Sequence, residues 1–192
     1  MKKILLIAVA LLFCATSARA ETWNIDPDHS AAHFAIEHMM IAKVRGSFPD
    51  IKGALMFKDD MPVSFDVTIA VDSINTGVDK RDAHLKSGDF FGVTTYPVMT
   101  FKSTEVTRSG DGFVAKGNMT IKDKTHEVEF AVSGLTERRK DPWGNYRLGG
   151  KAKLVIDRRD FGVTWSQTLD DGGLLIGNEV DIVVDLELLP VK

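Results

Sequence analysis

Three of the chain's five histidines, His29, His33 and His38, fall within ten residues, in HSAAHFAIEH. Imidazole is a common metal ligand, and whether these three share an ion depends on the backbone between them. On a helix, positions four apart lie about 5–6 Å from one another, so His29, His33 and Glu37 would chelate one ion. On a strand the same positions are roughly 13 Å apart, and His38 faces away from His29 and His33. The local composition supports both backbones. Ala31, Ala32, Ala35, Glu37, Met39 and Met40 favour helix, while SAAHFAIEH alternates imperfectly, with Phe34 and Ile36 on the face of His38. A second cluster is RDAHLKS at 81–87. There Arg81 would bind a phosphate in bidentate fashion, His84 and Lys86 would add donors, and Asp82 would orient Arg81. The ordinary alternative is a solvated helical face on which Arg81 and Asp82 pair. No G-x-S-x-G elbow, P-loop or G-x-G-x-x-G is present, and LGGK at 148–151 lacks the spacing. No catalytic residue is assigned, and the protein is not expected to be an enzyme.

The elements that position these residues begin after a leader. MKK is basic, ILLIAVALLFC is apolar and uncharged, and ATSARA ends in an A-x-A arrangement, the pattern of a secretory signal cut after Ala20. The apolar run is shorter than the roughly 20 residues that span a bilayer. Cys14 follows bulky Phe13, which argues against a lipoprotein signal. Residues 21–192 are then expected to form one exported domain. The leader carries Lys2, Lys3 and Arg19 and no acid, so its removal takes the formal charge from −3 to −6. No basic stripe is left to hold nucleic acid. The lone cysteine leaves with the leader, excluding disulfides, zinc thiolates and thiol nucleophiles.

Period-two alternation dominates the rest, the mark of half-buried strands. In VSFDVTIAV, Val63, Phe65, Val67, Ile69 and Val71 share one face; in HEVEFAV, Val128, Phe130 and Val132 do. In EVDIVVDLEL, Val180, Ile182, Val184, Leu186 and Leu188 share one face, and GFVAKGNMTI and RLGGKAKLVID follow the same template. Turn signals separate the runs at 58–62, 109–112, 122–124, 141–145 and 170–173. This spacing predicts an antiparallel sandwich or barrel. DKRDAHLKSGDFF (79–91) breaks the pattern and predicts one short helix. The chain has 11 phenylalanines and seven methionines, of which only Phe13 and Met1 lie in the leader. An ordinary core explains them, and so does an apolar cavity, since barrels of about eight strands hold one small ligand.

Four blocks carry a resemblance to a known family: WNIDPDHSAAHFAIEHMMIAKVRGSF (23–48), VDSINTGVDKRDAHLKSGDFFGVTTYPVMTFKS (71–103), GNMTIKDKTHEVEF (117–130) and EVDIVVDLEL (179–188). The most specific is Arg-Asp-x-His-Leu-x-Ser-x-Asp-Phe-Phe followed by Tyr-Pro and Phe; DPWG and RRDFGV are weaker landmarks. The chain resembles the YceI family of periplasmic, polyisoprenoid-binding, lipocalin-like proteins. It departs from the family at MMIA (39–42), where many relatives carry a Gly-containing turn. The resemblance implies an all-β fold, an extended eight-stranded antiparallel barrel with one or two short helices and a long apolar tunnel. It places 30–38 on a strand, which leaves His29 and His33 as surface or structural residues.

The function expected is binding, storage or transport of an isoprenoid, quinone-like or fatty-acid-like lipid, without a cofactor. Tunnel residues are expected to be Phe34, Ile36, Phe48, Phe65, Val67 and Ile69 in the first half of the chain. Phe90, Phe91, Phe101, Met119, Phe130 and Ile182 complete them. His38, Arg81 and His84 are expected at the ligand's polar end. Other partners are a transient membrane contact at most and a second copy of the chain in a symmetric dimer. The competing reading is a metal- or haem-associated redox protein using His29, His33 and His38. A third is a stress-response binding module with an enzyme partner.

Overall fold

The computed structural model describes residues 20–170 and 172–191. The expected leader lies outside them except for Ala20, which opens the first strand. Ten strands follow in chain order: β1 (Ala20–Ile25), β2 (Ala31–His38), β3 (Ala42–Phe48), β4 (Ile51–Lys58), β5 (Met61–Ala70), β6 (Val98–Ser109), β7 (Gly112–Ile121), β8 (Lys124–Lys140), β9 (Tyr146–Asp157) and β10 (Ile176–Pro190). One helix, α1 (Asp79–Lys86), lies between β5 and β6.

The ten segments make eight long strands, because two are bent. β1 and β2 form one strand interrupted at 26–30, and β3 and β4 form its antiparallel partner, interrupted at Pro49 and Asp50. Proline donates no backbone hydrogen bond, so the ladder stops there. Each later strand pairs antiparallel with the next, and β10 closes the ring by pairing with β9 on one edge and with β1 and β2 on the other. Closure removes the free edges that would otherwise template aggregation. The result is a closed eight-stranded antiparallel barrel.

Two ends can be distinguished. Toward the turns at 58–61, 109–112 and 140–146, Trp23, Leu55, Phe57, Phe113, Leu148 and Leu188 are almost fully buried and fill the interior. At the other end, the connections 71–97 and 158–175 and the β2–β3 turn gather around an opening. Ser47 and Asn75 exchange backbone hydrogen bonds at 2.9 Å each way, which fastens the 71–97 segment to β3. The Met39 amide donates to the Leu175 carbonyl at 2.8 Å, tying the turn to the second connection.

Three expectations change in detail. Val63 is 42% exposed although its alternation places it with Phe65 and Val67. A register shift opposite Met56 and Phe57 puts Pro62 inward instead. The helix stops at Lys86, five residues short of Phe91, because Ser87 turns to extended backbone and its hydroxyl takes the His84 carbonyl at 2.7 Å. Asp82 does not pair with Arg81 directly. Asp82 accepts from the Thr76 amide and hydroxyl, and Arg81 donates to the Thr76 hydroxyl and carbonyl, so both charges meet on Thr76.

Candidate functional site

The barrel interior is not filled throughout. An upper chamber of about 310 Å³ opens beneath the mouth, and a smaller one of about 70 Å³ lies deeper. The upper volume is at the low end of the roughly 300–1,000 Å³ usual for small-molecule sites. Ala32, Ile69, Met99, Met119 and Ile182 line both chambers and form the neck between them. The long tunnel is therefore two chambers with a waist, two of whose five members are flexible methionines.

All twelve apolar residues named above stand on these walls. Phe34, Ile36, Phe48, Phe90 and Phe91 line the upper chamber; Phe65, Val67, Phe101 and Phe130 line the lower; Ile69, Met119 and Ile182 line both. The reason is parity. Inward positions of β2 are Ala32, Phe34, Ile36 and His38, and those of β10 are Val180, Ile182, Val184 and Leu186. Gly46, opposite Phe34, makes room for its ring: a Cβ there would come within 2.5 Å of Phe34 Cζ. Ring contacts link the walls, Phe34 to Phe48 (tilted) and Phe48 to Phe91 (edge-on) at 5.7 Å each, and Phe101 to Phe130 (edge-on) at 4.9 Å.

His38, Arg81 and His84 also lie on the upper wall. His84 Nε2 is 3.0 Å from Asp89, and its ring stands edge-on to Phe90 at 5.0 Å and Trp165 at 5.1 Å. Trp165 and Phe90 are themselves 5.2 Å apart. This aromatic trio rims the opening.

Trp165 and Arg158 are among the wall residues missing from the sequence-based list. Trp165 sits in a connection without periodicity, so no signal marks it. Arg158 had one: the inward parity of Leu148, Ala152 and Ile156 in β9 runs on to position 158. Arg158 is only 4% exposed. Its Nε donates to Gly177 O at 2.8 Å, and Nη1 to Val163 O and Trp165 O at 2.6 and 2.8 Å. Nη2 is buried without a hydrogen-bond partner among the described residues.

The three clustered histidines do not converge. His29 lies in the turn before β2, with Nδ1 2.9 Å from Asp26; His33 Nε2 is 3.6 Å from Asp185; His38 faces the chamber. A different trio, Asp26, His29 and Glu187, has ligand atoms within 4.8 Å of one another. Arg147 Nη1 already bridges the Asp26 and Glu187 carboxylates, so a cation is in place there. The His29 imidazole is held above its usual range, chiefly by the hydrogen bond to Asp26 and then by Glu187. Burial pushes the Asp26 carboxyl up, but hydrogen bonds from His29, the Asp28 amide and Arg147 prevail and hold it below the usual range.

Residues 23–188 match the YceI-like domain. Over 187 residues, 95% of this chain and 94% of the relative, the sequence is 36% identical to a UPF0312 protein of Yersinia pestis. The crystal structure of the Campylobacter jejuni YceI protein superposes with a TM-score of 0.68 at 26% identity, covering 82% of this chain and 90% of that one. A domain from Saccharophagus degradans, described as polyisoprenoid-binding, shares the fold at a TM-score of 0.63 and 15% identity, with 88% and 98% covered. A closed eight-stranded barrel with a divided apolar interior, matched over nearly its whole length, makes this chain a member of the YceI-like domain family.

Proposed function

We propose that the protein is a carrier or store for one long-chain lipid, an isoprenoid or a molecule of similar shape, held in the barrel interior. The observation that carries this reading is the upper chamber, about 310 Å³ behind a wall of Phe, Ile, Leu, Val and Met side chains. The Saccharophagus domain of the same fold, described as binding polyisoprenoid, supports it. In this reading the protein acts by binding, in keeping with the domain of the same fold described as polyisoprenoid-binding. The leader in its sequence supports a periplasmic location.

The energetics suit a carrier. A chain leaving water gains about 0.8 kcal/mol per buried CH₂. A lipid already dissolved in a bilayer has made that gain, so barrel and membrane compete almost evenly and the lipid is exchanged. Extraction of the purified protein with organic solvent, followed by mass spectrometry, is expected to release a long-chain species. Repeated absence of one, with failure to bind added prenyl lipid, would sink the reading.

The exchange needs a place where the mouth meets the bilayer, and the β2–β3 turn supplies it. Met40 is 67% and Ile41 82% exposed, beside chamber-lining His38 and Leu175. Met39 and Met40 hold φ of 53° and 59°, left-handed backbone that costs a non-glycine residue about 1–2 kcal/mol. An exposed apolar tip kept at such a cost points to use. Replacing Met40 and Ile41 with glutamate is expected to weaken co-sedimentation with phosphatidylethanolamine–phosphatidylglycerol vesicles by about tenfold or more. Binding of a lipid presented without vesicles should not change. Undiminished sedimentation would remove the turn from the exchange step.

A further inference from the structure

The charged and imidazole side chains turned to the upper chamber wall are His38, Arg81, His84 and Arg158, all basic. Among the described residues no acidic side chain lines it, although the chain carries 27 acids against 24 lysines and arginines. His84 has a carboxylate partner away from the chamber wall, Asp89. Arg81 commits Nε and Nη2 to Thr76.

Arg158 is different. It is the most buried of the four, and its hydrogen-bond partners are three neutral carbonyls. Carbonyls satisfy N–H donors but do not neutralise the charge. The adjacent carboxylate, Asp157, is engaged by Arg159 through both Nε and Nη2. Burial accordingly pushes the Arg158 guanidinium below its ordinary value. Nη2 has no acceptor among the described residues, on a side chain that lines the chamber.

We propose that the upper chamber selects a long-chain molecule whose head carries anionic oxygens, a carboxylate or a phosphate, and that Arg158 is the residue that selects it. A guanidinium with Nη2 uncommitted recognises such a head through charge-assisted hydrogen bonds, stronger than those it makes to a neutral alcohol or quinone. The trio of His84, Phe90 and Trp165 then closes over the head while the chain runs toward the neck. Sequence parity and cavity chemistry agree on this arrangement: the inward series of β9 delivers an arginine where the apolar wall ends.

The inference rests on the lipid-binding reading, and its test separates the two. Delipidated protein is titrated with two matched pairs, hexadecanoate against hexadecanol and farnesyl phosphate against farnesol. At least one anionic member is expected to bind about tenfold or more tighter than its alcohol, the effect of a hydrogen bond to a charged group. The pair with the larger ratio identifies the head as carboxylate or phosphate. Arg158→Gln should bring that ratio to about twofold or less, whatever the alcohol's own affinity becomes, and Arg158→Lys should keep part of it. Equal binding within both pairs, or a preference that survives in Arg158→Gln, overturns the inference and leaves lipid binding standing. Failure of all four probes to bind overturns both. The comparison within the unaltered protein decides the head chemistry even where a variant folds poorly.

Discussion

An Ala32→Trp variant is expected to bind short chains normally and to lose about a hundredfold in affinity for chains long enough to pass the neck. Ala32 is 4% exposed, sits on β2 opposite Phe48 and Val184, and lines both chambers. It is the smallest of the five neck residues, so an indole in its place closes the waist most completely. A chain stopped there leaves its end outside the lower chamber. Excluding about four methylenes at about 0.8 kcal/mol each forfeits about 3 kcal/mol, which is the hundredfold stated. The ring enters existing space, so the overpacking cost stays near the lower end of about 1–3 kcal/mol, and thermal unfolding should move little. Affinity measured across a series of saturated chains would locate the break in length. A long-chain affinity equal to that of the unaltered protein would mean that ligands never reach the lower chamber.

The barrel that holds Ala32 was largely legible in the sequence, and for a physical reason. A closed barrel buries one face of every strand, so period-two alternation is written along nearly the whole chain. β7 matches GFVAKGNMTI residue for residue, and the inward residues of β8 and β10 are the ones their alternation selects. Where alternation misled, a local irregularity intervened: the shift opposite Met56 turned Val63 outward, which no residue type announces. The helix boundary was blurred for a related reason, since the turns after Ser87 reuse helix-compatible residues. The candidate site was legible in its apolar residues and in His38, Arg81 and His84, but not in Arg158. Phe34 or Phe130 is marked by size and parity, whereas Arg158 is marked by parity against its polarity, a combination that a search for apolar positions passes over. The histidine cluster was ambiguous because chelation depends on backbone geometry, and its composition suits both helix and strand. The partners of Arg147 were not readable at all: Asp26 and Glu187 are 121 and 40 positions away and meet it only once the ring closes.

That closure is where the largest loss of stability is expected. Asp26 occupies the interruption between β1 and β2, with a side chain 6% exposed. Its carboxylate accepts from His29 Nδ1 at 2.9 Å, from the Asp28 amide at 3.1 Å and from Arg147 Nη1. Around it, Ser30 repairs the ladder across the gap: its hydroxyl donates to Glu187 O at 3.2 Å and accepts from Glu187 N at 2.9 Å. The Asp26 amide donates to the same carbonyl at 2.8 Å. The bend is thus stapled to β10, and Arg147 reaches from β9 to hold the staple. Asp26→Ala strips the acceptor from three donors and leaves Arg147 short of a buried partner, at a cost of about 3 kcal/mol. For a domain of this size that lowers the thermal midpoint by about 6–12 °C. Asp26→Asn keeps an acceptor but not the charge, and should fall between the variant and the parent. The pH profile gives an independent check. Asp26 titrates below the ordinary 3.8 when folded, so its stabilisation is present above about that pH and is lost as the pH falls through the lower folded value. His29 titrates above the ordinary 6.5 when folded, so its contribution is complete below 6.5 and disappears as the pH rises through the raised value. The parent should therefore be most stable between these limits as far as this pair is concerned, and Asp26→Ala should lose both flanks together. Thermal midpoints measured from pH 3 to pH 9 decide it: an Asp26→Ala profile parallel to that of the parent would show that the pair is not what holds β1 and β2 to the ring.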